Sequence, residues 1–363
     1  MFDITKMVLY AAVLSLGLSV KGYAAQNGIE NQVIARQLSD ILAQEQRPFS
    51  GVIMVKRDNQ PLLTYYRGEG INEQSQFVIA SLSKQITAAL ILKAVDDGKL
   101  SLTNPISHYF KARKQFVSHL PDTVTISHLL SHTSGLINPR QPPLFEPGSQ
   151  FKYSNYGYTL LGEILTIVDQ RPFIEQVNNP NAHSLTGIKA YRGKMSAAQR
   201  QLPSLVLGRD ETHNAQAHPT SRYDNVDIDI TTQLIPAGGM IASAEAYSDF
   251  QHTLFSGQLI SPQSLMAMTT AHTQRPHRWG DINYGYGTQL NTEQGIAEYS
   301  HSGYLPGYMS LALYYPQSKV NVIILENTSW DLSDTKRTFR LHDTLRDSIR
   351  TALIAQGSHS TAL

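Results

Sequence analysis

Apolar positions near the start of the chain fall into a helical rhythm at Ile34, Leu38, Ile41 and Leu42, which predicts an amphipathic helix over residues 27–45. The rhythm then changes. Two β-rich runs, residues 51–56 and 62–66, flank Asp58-Asn59-Gln60-Pro61, a composition that suits a hairpin turn. Phe77-Val78-Ile79-Ala80 leads into Ser81, and from there Ile86, Ala89, Leu90, Leu92 and Val95 continue a mostly apolar helix that Gly98 stops. A helix this apolar is expected between two layers, with only its first turn open to a cleft.

Between residues 100 and 235 the periodicity fragments. Helices are expected at 126–131, 157–168 and 173–177 among long polar loops, and residues 190–229 read as loop-rich. Past Pro236-Ala237-Gly238-Gly239-Met240 a helix is expected at 244–254. β signals return at 284–290, 297–299, 308–315 and 320–325, and a last helix over 343–354 carries Leu345, Ile349 and Leu353 on one stripe. Strands at both ends around a helical middle argue for an α/β (α+β) body, residues 25–100 and 236–363, carrying a mostly helical insertion, residues 101–235.

The first residues stand outside this pattern. Lys6 closes a short n-region, residues 7–20 are apolar, and Gly22-Tyr23-Ala24 offers small residues where a signal peptidase reads. Residues 1–24 therefore read as an export signal, and the mature chain as periplasmic or secreted. The apolar run has 14 residues, short of the ~20 that cross a bilayer as a helix. An uncleaved anchor is the alternative; after cleavage no stable span is expected. Net charge is +1 with no block of like charge, so nucleic acid and anionic membranes find no electrostatic footprint. Absence of cysteine removes disulfides and thiolate metal sites.

Chemistry enters with Ser81-Leu82-Ser83-Lys84. Residues three apart at a helix start share a face, so the Lys84 amine can reach the Ser81 hydroxyl. A serine attacks poorly until a base takes its proton, and a lysine serves only when burial or nearby cations suppress its charge. Alone the pattern recurs by chance, and its bland reading is a solvated helix start. Two further patterns follow in order: Tyr153-Ser154-Asn155 ahead of Tyr156-Gly157-Tyr158, and His301-Ser302-Gly303 ahead of Tyr304-Leu305-Pro306-Gly307. Between them lie Ile126-Ser127-His128-Leu129-Leu130-Ser131-His132-Thr133-Ser134-Gly135 and Ala237-Gly238-Gly239-Met240.

Together, from about residue 30 to residue 330, these stretches closely resemble the serine β-lactamase-like and penicillin-binding protein family. Class C β-lactamases, D-alanyl-D-alanine carboxypeptidases, esterases and D-aminopeptidases are its branches. The resemblance implies an antiparallel sheet flanked by helices with an inserted helical domain. It also implies roles by position. Ser81 matches the acylated nucleophile, Lys84 its proton partner, and Tyr153 the phenol that shuttles a proton to the leaving group. Asn155 matches an amide that bonds the lysine and the substrate. His301, Ser302, Gly303 and Tyr304 fall on the substrate-binding strand, and the backbone N–H groups of Ser81 and Tyr304 match the oxyanion donors. No cofactor is implied.

His301 stands where class C β-lactamases carry lysine. Histidine, with pKa ~6.5, is largely neutral at physiological pH, so carboxylate anchoring through it should be weaker or pH-dependent. His301→Lys is then expected to improve the handling of carboxylate-bearing substrates. His128 and His132 lie four apart, a zinc-compatible spacing, but no third ligand is in register. Both read as structural, and no metal site is expected. The expected function is an exported serine hydrolase, D-alanyl-D-alanine carboxypeptidase-like or a related peptide hydrolase, with peptidoglycan peptides as substrate. A carboxylesterase or β-lactamase is the alternative within the family, and a non-catalytic cell-wall peptide-binding protein the alternative from another class.

Overall fold

The structure is a computed structural model and describes residues 28–45, 47–111, 120–179, 185–211 and 223–360. The export-signal reading of residues 1–24 lies outside the described residues. The largest sheet has eight strands: β1 (Gly51–Arg57), β2 (Gln60–Arg67), β3 (Thr273–His277), β4 (Gly280–Tyr284), β5 (Gln289–Glu293), β6 (Ile296–Leu305), β7 (Tyr308–Tyr315) and β8 (Val320–Glu326). They run antiparallel in the order β3-β4-β5-β6-β7-β8-β1-β2. The helices that build the core and the site are α1 (Gly28–Gln44), α2 (Ser83–Asp96), α3 (Ile126–Leu130), α4 (Asn155–Val168), α5 (Ile235–Gly238), α6 (Ala244–Phe255) and α7 (Thr335–Ser360).

Strand alternation separates two cores. Ile53 and Val55 of β1, with Val322 and Ile324 of β8, face Ile34 and Leu38 of α1 and Leu345 and Ile349 of α7. Their neighbours Val52, Met54, Ile323 and Leu325 point the other way, into a larger cluster holding Ile86 and Leu90 of α2, Phe250 of α6, and Leu160 and Ile164 of α4. α2 is thus enclosed, as its apolar surface requires. The β1–β2 hairpin turns at Asp58 (φ 49°) and Asn59 (φ 61°). Positive φ at both central residues matches the right-handed strand twist and suits Asp and Asn.

Four stretches depart from the sequence pattern. The run 284–290 is not one strand: β4 ends at Tyr284 and β5 begins at Gln289. A Cβ at Gly285 would lie 2.1 Å from the Met268 carbonyl oxygen, and Gly287 takes φ +63° with its Cα packed near the Lys84 carbonyl. Close backbone approach breaks the strand there. β6 runs well past residue 299, to Leu305, and α7 begins at Thr335 rather than 343. The segment 190–229 is more ordered than a loop-rich reading allows. Gly208–Glu211 pairs with Tyr223–Val226 and, in parallel, with Thr328–Ser329. Such short strands depend on distant partners and leave no period to read. Among the described residues no helix is long and apolar enough to cross a membrane.

Candidate active site

Ser81 sits in a single 3-10 turn, Ala80–Leu82, between the strand Gln76–Val78 and α2. Ala80 takes φ +48°, a region that non-glycine residues rarely adopt and that a branched side chain would resist. Neighbours hold it there. The Ser83 hydroxyl donates to the Ala80 carbonyl at 2.7 Å and accepts from the Met240 N–H at 3.2 Å. The Ser310 hydroxyl, reaching from β7, donates to the Ile79 carbonyl at 2.8 Å. β6 presses on the same turn: a Cβ at Gly303 would lie 2.3 Å from Ser310 Oγ, 2.8 Å from Ala80 Cβ and 2.9 Å from the Ser81 nitrogen. Only glycine leaves that space.

Lys84, one turn on, is fully buried, and among the described residues no carboxylate contacts it. Its Nζ lies 2.5 Å from the Ala237 carbonyl, 2.8 Å from Asn155 Oδ1 and 3.3 Å from Ser81 Oγ. Burial holds its pKa well below the usual lysine range. A neutral amine has two N–H donors and one lone pair. The two shorter contacts are to pure acceptors and take the donors, which leaves the lone pair facing the Ser81 hydroxyl.

Tyr153 and Asn155 arrive together because Ser154 caps α4. Its hydroxyl accepts from the Gly157 N–H at 2.9 Å and donates to the Leu136 carbonyl. The half-buried Tyr153 ring lies 4.7 Å from Lys84 Nζ, and its hydroxyl is hydrogen-bonded to Ser81. Burial pushes the phenol up to about 12, against the Ser81 hydrogen bond and the positive charge of Arg275. Tyr153 therefore rests as a phenol at neutral pH. Behind it, buried His132 accepts the Ser154 N–H at Nδ1 (3.2 Å) and packs its ring 4.4 Å from that of Tyr153. His128 has a separate task. Its Nδ1 accepts from the Thr125 N–H at 3.2 Å and completes a capping box at the start of α3.

The third motif lies on β6, but the imidazole of His301 is turned inward and is 1% exposed. Nδ1 meets the Ser302 carbonyl at 2.9 Å, so it carries the proton; Nε2 accepts from the Tyr284 hydroxyl at 3.0 Å. Burial, with the nearby Lys84 and Arg275, drives its pKa down to about 3. Of the two expectations, weaker or pH-dependent anchoring, this removes the second and agrees with the first: the ring is neutral throughout pH 5–9 and its imidazole is buried. Ser302 and Tyr304 are half-buried, and the Tyr304 hydroxyl donates to the Trp330 carbonyl at 2.9 Å. β5 pairs only with residues 296–300 of β6, so among the described residues the backbone of 301–305 has one unpaired edge.

Several contributors carried no legible sequence signal. Ala237 acts through its carbonyl, and Ala80 through its backbone angle. Tyr158 and Tyr284 are buried behind Tyr153, their ring centroids 5.1 and 5.0 Å from that of His132. Arg275, on the short strand β3, holds its guanidinium carbon 5.5 Å from the Phe151 ring centroid and 5.8 Å from that of Tyr153. Tyr158 follows the second motif directly and Tyr284 opens a tyrosine- and glycine-rich run; nothing marked the arginine.

The Beta-lactamase family model matches residues 34–345. The chain belongs to the beta-lactamase family. This beta-lactamase-family chain is 24% identical over 337 residues to PbpX of Bacillus subtilis (strain 168), named as a penicillin-binding protein, covering 82% of this chain and 74% of that one. It is 23% identical over 318 residues to protein flp of Staphylococcus aureus (strain NCTC 8325 / PS 47), covering 77% of this chain and only 59% of flp. Among solved structures it superposes on the D-amino acid amidase from Ochrobactrum anthropi SV3 with a TM-score of 0.70 at 17% identity, over 91% of this chain and 99% of that one. The beta-lactamase family consists of serine hydrolases, and this member is one of them.

Proposed function

We propose that the chain forms an acyl-enzyme at Ser81 and releases it to water, acting on D-alanyl-terminated peptides in the manner of a carboxypeptidase. One observation carries the reading: a buried, uncharged Lys84 whose free lone pair faces a serine hydroxyl that is also bonded to a phenol. Ser81 Oγ attacks the carbonyl carbon and gives its proton to Lys84 Nζ. The oxyanion is held by the N–H groups of Ser81 and Tyr304, brought close by the bare Cα of Gly303. As the C–N bond breaks, the Lys84 proton reaches the leaving amine through Tyr153, whose high pKa suits a group that passes a proton on instead of standing ionised. Water then attacks the ester and the same proton path runs in reverse. Asn155 orients the amine and the substrate amide, and the free edge at 301–305 offers main-chain pairing to an extended peptide.

The names of a penicillin-binding relative and of a D-amino acid amidase with the same fold support amide substrates of D configuration. An uncharged His301 favours a second reading, a carboxylesterase, since the third motif brings no cation to the cleft; β-lactam hydrolysis ranks after it. The proposed setting is periplasmic or secreted, tested by N-terminal sequencing of the mature protein. The decisive experiment treats purified protein with fluorescent penicillin and a fluorophosphonate, then maps the adduct by mass spectrometry. An adduct on Ser81 that S81A abolishes supports the reading. No adduct at Ser81 with either reagent leaves a peptide-binding module instead.

A further inference from the structure

We propose that the chain holds a second binding site, separate from the catalytic cleft, for a small carboxylate with an apolar body, of the medium-chain fatty acid kind. A cavity of about 430 Å³ lies among the helix Phe173–Asn178, the strand Lys189–Ala190 and the segment that carries Gln201 and Leu202. That volume is ordinary for a small-molecule site, about 300–1,000 Å³. None of Ser81, Lys84, Tyr153, Asn155 or His301 lines it. The acyl-enzyme reading makes no use of this cavity, so the two stand or fall separately.

Its walls are apolar and its charges are all of one sign. Ile174, Tyr191 and Leu202 pack against the core but stay half-buried, so each keeps apolar surface for the cavity beside the buried Ala190. Lys189 and Arg192 also line it, and the lining contains no carboxylate. Among the described residues neither cation has an ion-pair partner. Glu175, the acid of the adjoining helix, lies 3.6 Å from Arg171 instead. Two unpaired cations at one concavity raise the local concentration of anions, and an arginine fork matches the two oxygens of a carboxylate. Apolar walls beside them select an anion that brings a chain or ring to cover.

The cavity is also held in shape. The Asn178 amide ties wall to floor: Nδ2 donates to the Ala190 carbonyl and Oδ1 accepts its N–H, both at 2.9 Å. Lys189 and Ala190 pair with Ile241 and Met240. On the other side the Gln201 and Leu202 N–H groups both donate to the Ala198 carbonyl at 2.9 Å, and Gln199 Nε2 donates to the Leu205 carbonyl at 2.7 Å. A site fixed beforehand loses little affinity to ordering when it fills.

Calorimetric titration of the full chain with octanoate is expected to give one saturable site with a Kd below about 1 mM. Acetate, which lacks the chain, and octylamine, which reverses the charge, should each bind at least about tenfold more weakly. K189Q/R192Q alters two residues outside the catalytic machinery. It should weaken octanoate about tenfold and leave fluorophosphonate labelling of Ser81 unchanged. Octanoate affinity unaltered by K189Q/R192Q overturns the proposal, as does octylamine binding as tightly as octanoate, or no saturable heat at all. Protein labelled at Ser81 should bind octanoate as the free protein does; loss of binding there would put the ligand in the cleft and also overturn the proposal. If Ser81 takes no label, the acyl-enzyme reading fails, and the titrations of parent and K189Q/R192Q still decide the second site.

Discussion

Lys84→Met tests the charge state on which the proposed chemistry depends. Methionine keeps the length and bulk of the lysine stem and removes the amine, so packing around α2 is nearly conserved. Burial lowers the Lys84 pKa well below the usual lysine range, and that depression costs folding stability at neutral pH. Against this, the variant strands the Ala237 carbonyl, a loss of about 1–3 kcal/mol; Asn155 and Ser81 border the open cleft, where water replaces the amine. Relief of that cost is expected to outweigh the stranded carbonyl, so the variant should be more stable than the parent at pH 7 while losing acylation. The sign with pH follows from linkage. The unfolded lysine binds a proton that the folded one lacks, so parental stability rises with pH, by about 1.4 kcal/mol per unit from this group, until the unfolded pKa is reached. Urea unfolding at pH 7, 8 and 9 should show the gap between variant and parent closing at that rate. Other titrating groups are common to both proteins and cancel. A variant less stable than the parent by the same amount at every pH would mean an ammonium held by three acceptors, and the base assigned to Ser81 would be gone.

Four further outcomes follow from the same geometry. Tyr153→Phe should slow amide cleavage far more than cleavage of a nitrophenyl ester, whose leaving group needs no proton; equal slowing in stopped-flow acylation would remove the relay. Gly303→Ala drives a methyl to 2.3 Å from Ser310 Oγ and 2.9 Å from the Ser81 nitrogen, so it should destabilise by about 1–3 kcal/mol and abolish fluorophosphonate labelling. His301→Lys should place an unpaired ammonium beside Lys84 in a closed pocket. It is therefore expected to lower the melting temperature and give no gain on carboxylate substrates, the reverse of the sequence-based expectation. Glu326 is buried, yet Arg47 and His342 hold its pKa at about 2, below its ordinary 4.5. A depressed carboxylate stabilises fully above pH 4.5 and loses that contribution toward pH 2, about 3 kcal/mol here. Stability measured from pH 6 down to 2 should fall more steeply in the parent than in Glu326→Gln.

Much of the fold was readable because the strongest periods lie where burial is two-sided or alternates cleanly. The mostly apolar run after Ser81 suited a helix closed between layers, and β1 and β2 announced their β-rich composition and their turn. Reading failed where structure depends on contacts remote in sequence. Tyr284-Gly285-Tyr286-Gly287 reads as strand by composition, but its glycines exist to let a backbone pass against Met268 and α2. The short strands between 189 and 230 are held by segments up to 120 residues away, such as Thr328–Ser329 against Arg209 and Asp210.

The site divides in the same way. Ser81, Lys84, Tyr153 and Asn155 stood out because their chemistry lives in side chains at fixed short spacings. The groups that make that chemistry workable do not. A lysine turns into a base through the loss of water and the absence of a carboxylate within reach, and neither leaves a residue to read. Its amine is held by the Ala237 carbonyl, and the turn that carries Ser81 by the strained angle at Ala80, both main-chain properties. His301 shows the limit most directly. As a letter in a motif it suggested a titrating anchor, yet the Tyr284 hydroxyl and the Ser302 carbonyl fix it as an uncharged strut.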